Sequence, residues 1–382
     1  VPDHRPINGR TPVRKIRVGI IGASPDRGWA GRAHVPALRA LPGYELTAVA
    51  TSRADSAGRA AELFGAAHAF TDQHQLAAHP EVDLVVITVK VAAHRELVQA
   101  ALAAGKHVYC EWPLALTTAE AELLATAAQT AGVRTAVGLQ ARYAPAISHA
   151  RALISEGHLG RVTSATLHTA RAKGAATAVP AWTAYTYDRA SGAGLLEVLG
   201  GHALDALEHL LGDIADLSAT LSVQHPHHTV TETGQAIAVT SPDHLLLTAT
   251  LASGAVVTAH IHDGEAAAPR TRLEIAGTKG DLAIVSAPAQ SPDALQFQIG
   301  ELRLRTTHGT TGTWREVPLP DQHTLPAEIE PQARNVAALY AQFATDLHTG
   351  SHHTPDFATG VRLHRLLDAI RASATTGTRQ PR

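Results

Sequence analysis

The chain is poor in the residues that mark several classes of protein. It has one cysteine, Cys110, and no methionine among 382 residues. A lone cysteine excludes an intrachain disulfide and a cysteine-rich zinc site. Inside the apolar run VYC it reads as a small buried strand residue. No apolar run approaches the ~20 residues needed to cross a bilayer, so no membrane partner is expected. The opening VPDHRPINGRTPVRK carries no apolar leader, which makes the expected location cytoplasmic. Neither sign of charge dominates, with 32 Lys and Arg against 34 Asp and Glu, so no nucleic-acid partner is expected. Lysine is scarce, at positions 15, 90, 106, 173 and 279.

What remains is the composition of a folded globular protein, 45% hydrophobic and 17% charged, with a length that suggests two domains. Residues 1–14 read as a loose tail. Mostly apolar runs then alternate with helical patterns. The predicted strands are Ile16–Ile21, Glu45–Thr51, Asp83–Val89, His107–Glu111 and Arg134–Leu139. Between them lie predicted helices at Ala33–Leu41, Arg53–Phe64, His94–Ala104 and Thr117–Ala131, the last with Leu123, Leu124, Ala127 and Ala128 on its apolar face. Apolar strands alternating with helices predict a doubly wound parallel sheet over residues 15–139.

Past residue 140 the pattern changes. Helices are predicted at Ala144–Glu156 and Leu195–Leu211. Short alternating strands are predicted at Val162–His168, Leu217–Val223, Gln235–Val239, His244–Leu251, Ala255–Ile261, Thr271–Ala276, Asp281–Val285 and Glu301–Thr306. Two closing helices, Ala333–Leu347 and Phe357–Ala372, should pack back on the body. The fold class is therefore α/β, an N-terminal Rossmann sheet plus an α+β domain (140–372) with a large, mostly antiparallel open sheet.

Gly19-Ile20-Ile21-Gly22 follows the first strand and precedes a helix, with Gly28 and Gly31 beyond. Glycines allow close approach of a pyrophosphate, and a helix N-terminus offers free N–H groups. Gly19, Gly22, Ala23, Ser24 and Trp29 are therefore candidate cofactor contacts. The second strand ends Thr51-Ser52-Arg53, without the acid that takes a ribose 2′-hydroxyl in an NAD site. Ser52 and Arg53 suit a 2′-phosphate, so NADP is the expected cofactor and NAD the alternative. Lys90 stands at the end of a strand, on the rim facing a bound dinucleotide, and is a candidate acid–base group. Gln140, Arg142 and Tyr143 follow the last Rossmann strand and can reach substrate or cofactor. Tyr185 precedes the Gly192–Gly194 turn and can form a pocket wall. Histidines cluster at 225, 227 and 228, at 260 and 262 on one strand face, and at 352 and 353. No pattern of a catalytic metal site emerges from them, so no metal is expected.

In combination, Gly19–Gly22, PEVDLVVITV (80–89), His94, AGKHVYCEWPLA (104–115), GAGLLEVLGGHALD (192–205) and IAGTKGDL (275–282) resemble the glucose–fructose oxidoreductase/inositol dehydrogenase/rhizopine-catabolism (Gfo/Idh/MocA) oxidoreductases. The resemblance spans residues 15–372. It implies an NAD(P)-dependent oxidoreductase of sugars, cyclitols or related polyols, with a small-molecule substrate and a homodimer or homotetramer formed through the open sheet. It also implies a lysine in a Glu-Lys-Pro motif, and an Asp and a His four residues apart. Glu111 and Pro113 match, but the lysine position is Trp112. His202 matches the catalytic histidine, with Asp205 three residues on, but the Asp position is Val198. His202 is then a candidate catalytic group beside Lys90. Val89, His94, Glu111 and Trp112 join the cofactor set, and Trp112 and Asp205 join Arg142, Tyr143 and Tyr185 in the substrate set. GWAGRAH (28–34), TVKVAAH (88–94), EWPLA (111–115) and VGLQARYAP (137–145) resemble, more narrowly, the branch containing the fungal galactose-regulon repressor. That branch implies an alternative, a non-catalytic dinucleotide-binding regulator. A separate alternative is a non-redox biosynthetic enzyme on the same scaffold.

Overall fold

The parallel half forms because its strands are apolar on both faces. In the computed structural model, which describes residues 14–267, 269–288, 295–307, 312–319 and 329–382, six strands pair in parallel: β1 (Ile16–Ile21), β2 (Tyr44–Ala50), β3 (His68–Phe70), β4 (Leu84–Ile87), β5 (His107–Cys110) and β6 (Thr135–Val137). Their order is β3-β2-β1-β4-β5-β6. Strand order reverses between β1 and β4, so a crevice opens at the carboxyl ends there, where ligands bind in such sheets. Val18, Ile20, Leu84, Val86 and Tyr109 pack on one side of the sheet. Ile21, Val85, Ile87, Val108 and Cys110 pack on the other.

Helices α1 (Val35–Arg39), α2 (Ala54–Phe64), α3 (Gln73–Ala78), α4 (His94–Ala103) and α5 (Thr118–Ala131) cover these faces. The Thr117 side chain caps α5 by accepting from the Glu120 N–H, and Gly132, at φ 63°, ends it. Its buried stripe is Ala121, Leu124 and Ala128. Leu123, predicted on that stripe, is instead exposed, because the packed residues follow the three- and four-residue helical step from Ala121. The predicted tail lies almost wholly outside the described residues.

The second half runs α6 (Pro145–Ser155), β7 (Val162–Ala170), β8 (Ala178–Val179), α7 (Gly201–Leu211), β9 (Ile214–Ser222), β10 (His227–Val230), β11 (Ala236–Ala238), β12 (His244–Leu251), β13 (Val256–His262), β14 (Thr271–Gly277), β15 (Asp281–Ser286), β16 (Leu302–Thr306), β17 (Arg315–Val317), α8 (Pro331–Thr349), α9 (Phe357–Thr376) and β18 (Gln380–Pro381). Nine strands form one sheet in the order β17-β16-β15-β14-β7-β13-β12-β9-β18. Its pairs are antiparallel except β7 with β13. The predicted strand Gln235–Val239 belongs instead to a three-stranded sheet of β11, β10 and β8. One face of the large sheet is core, with Leu167, Leu245, Leu247, Val257, Ile261 and Leu273. The predicted helix Leu195–Leu211 is two pieces, a wide π-helical turn at Leu196–Gly200 leading into α7.

The closing helices tie the halves together. Val336, Leu339, Tyr340 and Phe343 of α8 join the Rossmann core on the Val18 side. α9 lies against α5 and β9, burying Leu363, Leu367 and Ile370. Elements from beyond residue 139 therefore complete both the parallel sheet and the seam beside it.

Candidate active site

The turn after β1 is shaped by glycine. Gly22 has φ +94°, and a Cβ there would sit 2.8 Å from Val89 Cγ1 and 2.9 Å from Thr88 Oγ1. The β1 and β4 ends can approach this closely only with glycine. The Gly22 and Ala23 N–H groups both donate to the Ala50 carbonyl, which holds the turn against β2. Ser24 is partly exposed beyond it. Gly19, expected at the cofactor, is corrected: a Cβ there would strike Leu76 Cδ2 at 2.7 Å, so its smallness lets α3 pack on β1. Ser52 and Arg53 are exposed at the end of β2, and Arg53 lies 3.6 Å from the neighbouring Asp55 carboxylate. Two polar atoms at this end of the sheet are buried without a hydrogen-bond partner among the described residues, Trp29 Nε1 after β1 and Gln140 Oε1 after β6.

Glu111, Trp112 and Pro113 leave β5 toward the seam. Glu111 crosses Gly138, where a Cβ would lie 2.5 Å from its carboxylate, and faces His34 Nε2 at 2.9 Å. Tyr340 Oη lies 2.7 Å from His34 Nδ1. The carboxylate requires the Nε2–H tautomer, so Tyr340 O–H donates to Nδ1. This buried chain fixes Glu111 to α8. Neither His34 nor Tyr340 was predicted for the site. GWAGRAH quoted the histidine, but its partner is 306 residues away.

Trp112 is corrected as a ligand contact. It is 5% exposed, and its N–H donates to the Glu197 carbonyl at 2.7 Å. A Cβ on Gly201 would lie 2.3 Å from Nε1, and the His364 ring packs 4.8 Å away. The indole is a plug between α7 and α9, with its one donor spent. Glu197 in turn takes Arg371 Nη2 on its carboxylate at 2.7 Å.

His94 is likewise corrected. Its ring nitrogens face backbone carbonyls, Nδ1 at Pro113 (2.9 Å) and Nε2 at Val89 (3.0 Å). Burial lowers its pKa, so one nitrogen donates and the ring stays neutral. It clamps the β4 and β5 exits together rather than facing a ligand.

Lys90 and Tyr185 meet. The exposed lysine caps the turn after β4, and its Nζ stands 4.2 Å above the Tyr185 ring, a cation–π contact across the two halves. Burial raises the Tyr185 pKa. His202 is buried in the first turn of α7. Burial first, and the Arg171 guanidinium second, push its pKa down to about 3. Its Nδ1 has no partner among the described residues. Arg171 forms a buried two-bond pair with Asp263, at 2.7 and 3.0 Å, a feature the sequence reading missed because each charge ends a separate strand. Arg142 and Asp205, both expected to face substrate, pair with each other through two bonds of 2.9 and 2.5 Å. They are corrected to a brace that joins α7 to the turn after β6. Tyr143 is packed against the α8 side of the core, and burial raises its pKa.

A Rossmann crevice closed by an open-sheet domain defines a class of two-domain dinucleotide-binding protein. The oxidoreductase family with an NAD-binding Rossmann fold (Gfo/Idh/MocA) matches residues 16–139, and the Gal80p C-terminal domain matches residues 145–286. The chain is 30% identical to the 1,5-anhydro-D-fructose reductase of Ensifer adhaerens over 296 residues, covering 77% of this chain and 81% of that one. It is 29% identical to the dehydrogenase aclE of Aspergillus oryzae over 377 residues, covering 95% and 97%. A crystal structure of a Gal80p super-repressor mutant from Saccharomyces cerevisiae superposes with a TM-score of 0.84 at 25% identity, covering 96% of this chain and 97% of that one. The chain belongs to the Gfo/Idh/MocA oxidoreductase family, with a Gal80p-like C-terminal half.

Proposed function

We propose that the protein is an NAD(P)-dependent oxidoreductase of a sugar-like or other polar carbonyl or alcohol, with NADP preferred. The carrying observation is a set of buried polar atoms without partners among the described residues: Trp29 Nε1, Gln140 Oε1 and His202 Nδ1. They sit on elements that meet at the carboxyl end of the parallel sheet. Native proteins rarely leave such atoms unpaired, and a polar ligand supplies the missing bonds. The glycine turn at Gly22, with Ser24, Trp29 and Gln140, fits a dinucleotide, and Ser52 and Arg53 fit its 2′-phosphate.

The bound dinucleotide supplies the hydride acceptor or donor. Lys90 places a positive charge over Tyr185; in the carbonyl-reducing direction its ammonium would donate the proton that the substrate oxygen takes up as it gains negative charge, and water would restore the ammonium. His202, neutral at ordinary pH, offers its unpartnered Nδ1 to a substrate hydroxyl. A spectrophotometric screen of NADPH and NADH oxidation with sugar-like carbonyls, and of the reverse reaction, tests this. Lys90→Ala should lower kcat by about 10²–10⁴-fold and leave dinucleotide affinity unchanged. Arg53→Ala should weaken NADP by about 10–100-fold, the worth of a charged hydrogen bond, and spare NAD. Self-association through the outward face of the nine-stranded sheet belongs to the same reading, and sedimentation would give the oligomer size.

A second reading, a dinucleotide-binding regulator, is favoured by Trp112, an inert plug where the family places its lysine, and by the Gal80p-like half. It expects dinucleotide binding with no turnover across the screen, and no effect of Lys90→Ala beyond the cleft.

A further inference from the structure

Away from the cleft, the outward face of the nine-stranded sheet gathers imidazoles. His168 on β7 is in register with His260 on β13, and His244 on β12 is in register with His262 on β13. Sequence alternation relates only His260 and His262. The parallel β7–β13 pairing brings in His168, and the turn after β13 brings Glu265 back over the same face.

The distances are those of a coordination site. Nε2 of His168 and Nε2 of His262 are 3.4 Å apart. Glu265 Oε2 is 3.8 Å from each. The centre of that triangle is about 2.1 Å from all three atoms, the length of a zinc bond to imidazole nitrogen or carboxylate oxygen. Ring nitrogens of His168, His260 and His262 all lie within 4.8 Å of one another.

Hydrogen bonding does not account for this arrangement. Two facing Nε2 atoms share one proton at most, and 3.4 Å is long for such a bond. His260 Nε2 and His168 Nδ1 are buried with no partner among the described residues. Arg270 Nη1 holds the other Glu265 oxygen at 3.0 Å, which fixes the carboxylate as outer partners of metal ligands do.

We propose that His168, His262 and Glu265 bind one divalent transition-metal ion of the zinc class per chain, with the His260 ring stacked on His262 beside it. A donor set of imidazoles and one carboxylate, without thiolate, suits Zn²⁺, Co²⁺ or Ni²⁺ and not Ca²⁺ or Mg²⁺. The ion would staple the two central parallel strands and the turn after β13. Asp263, the partner of Arg171, follows His262 directly, so the staple would also stiffen the strand end that carries that pair.

The test uses the full chain, stripped with a chelator and titrated with Co²⁺ and then Zn²⁺. The readouts are cobalt visible absorption, bound metal after dialysis, and Tm. One equivalent of Zn²⁺ per chain, a tetrahedral cobalt spectrum and a Tm raised by Zn²⁺ are expected. The His168→Gln/His262→Gln double variant should lose affinity by at least about 100-fold, with an unchanged circular dichroism spectrum and no Tm response to Zn²⁺. Glu265→Gln, on a partly exposed turn, serves as the second variant should the double variant not fold, and should weaken Zn²⁺ by about 10-fold or more. Retention of no zinc by the wild-type chain, or equal retention by wild type and Glu265→Gln, overturns the proposal.

Discussion

The two sheets are solvents of different kinds for their own side chains. The six-stranded sheet is covered on both sides, so β4 reads LVVI with every residue buried. The nine-stranded sheet is covered on one. In β13, VVTAHIH, the inward residues Val257, Ala259 and Ile261 are apolar, and the outward positions hold Val256, Thr258, His260 and His262. A strand freed from packing on one face can carry chemistry there at little cost to the core. The cofactor crevice uses strand ends, whereas the histidine cluster uses a strand face.

The comparison can be broken where the two halves join. Asp205→Ala should leave the Arg142 guanidinium buried without its counter-charge, at a cost of about 3–5 kcal/mol in chemical denaturation. A smaller contrast separates the sheets themselves. Leu84→Ala, at a position with no exposure in β4, should cost about 2–5 kcal/mol. Leu246→Ala, 48% exposed on the outward face of β12 in the single chain, should stay within about 0.5 kcal/mol where dilution keeps the chains apart. A larger loss at concentrations where the chains self-associate would show that this face forms the contact. Trp112→Phe keeps most of the plug and removes the indole N–H bond to the Glu197 carbonyl, which retains the Gly201 N–H, and should cost about 0.5–1.5 kcal/mol.

Acidification gives the gentlest discrimination. His202 and His209 are held near 3, and His364 near 4, each mainly by burial. Their unfolded values are about 6.5. Below pH 6.5 the unfolded chain takes up protons that the folded chain refuses, so stability present above 6.5 is lost progressively toward pH 4. Tm measured from pH 7.5 to 4.5 should fall along this course, and His364→Leu should make the fall shallower.

Much of this architecture was readable from local pattern. Long apolar runs bounded by Gly and charge revealed β1, β2, β4 and β5. The three-residue β3, half exposed at the edge, left no period to detect, and α3 (QHQLAA) offers only Leu76 and Ala77 to the core. The two-residue β18 is defined by pairing with β9, not by composition. At the site, sequence pointed to Lys90, Tyr185, Arg142, Asp205 and His202, but could not say which would meet. Two of these pairs bind each other: Lys90 with Tyr185, and Arg142 with Asp205. Trp112 advertised a site by its place in the motif, yet its indole belongs to the packing of α7 and α9, elements 85 or more residues away along the chain.

The return of α8 to the first sheet has a consequence for biosynthesis. Val18, Val86 and Tyr109 share their core with Val336, Leu339 and Tyr340. The amino-terminal half leaves the ribosome with that apolar flank bare and stays so until some two hundred further residues have been made. Its completion therefore waits until α8 has been made, which leaves an apolar flank open to non-native contacts in the nascent chain.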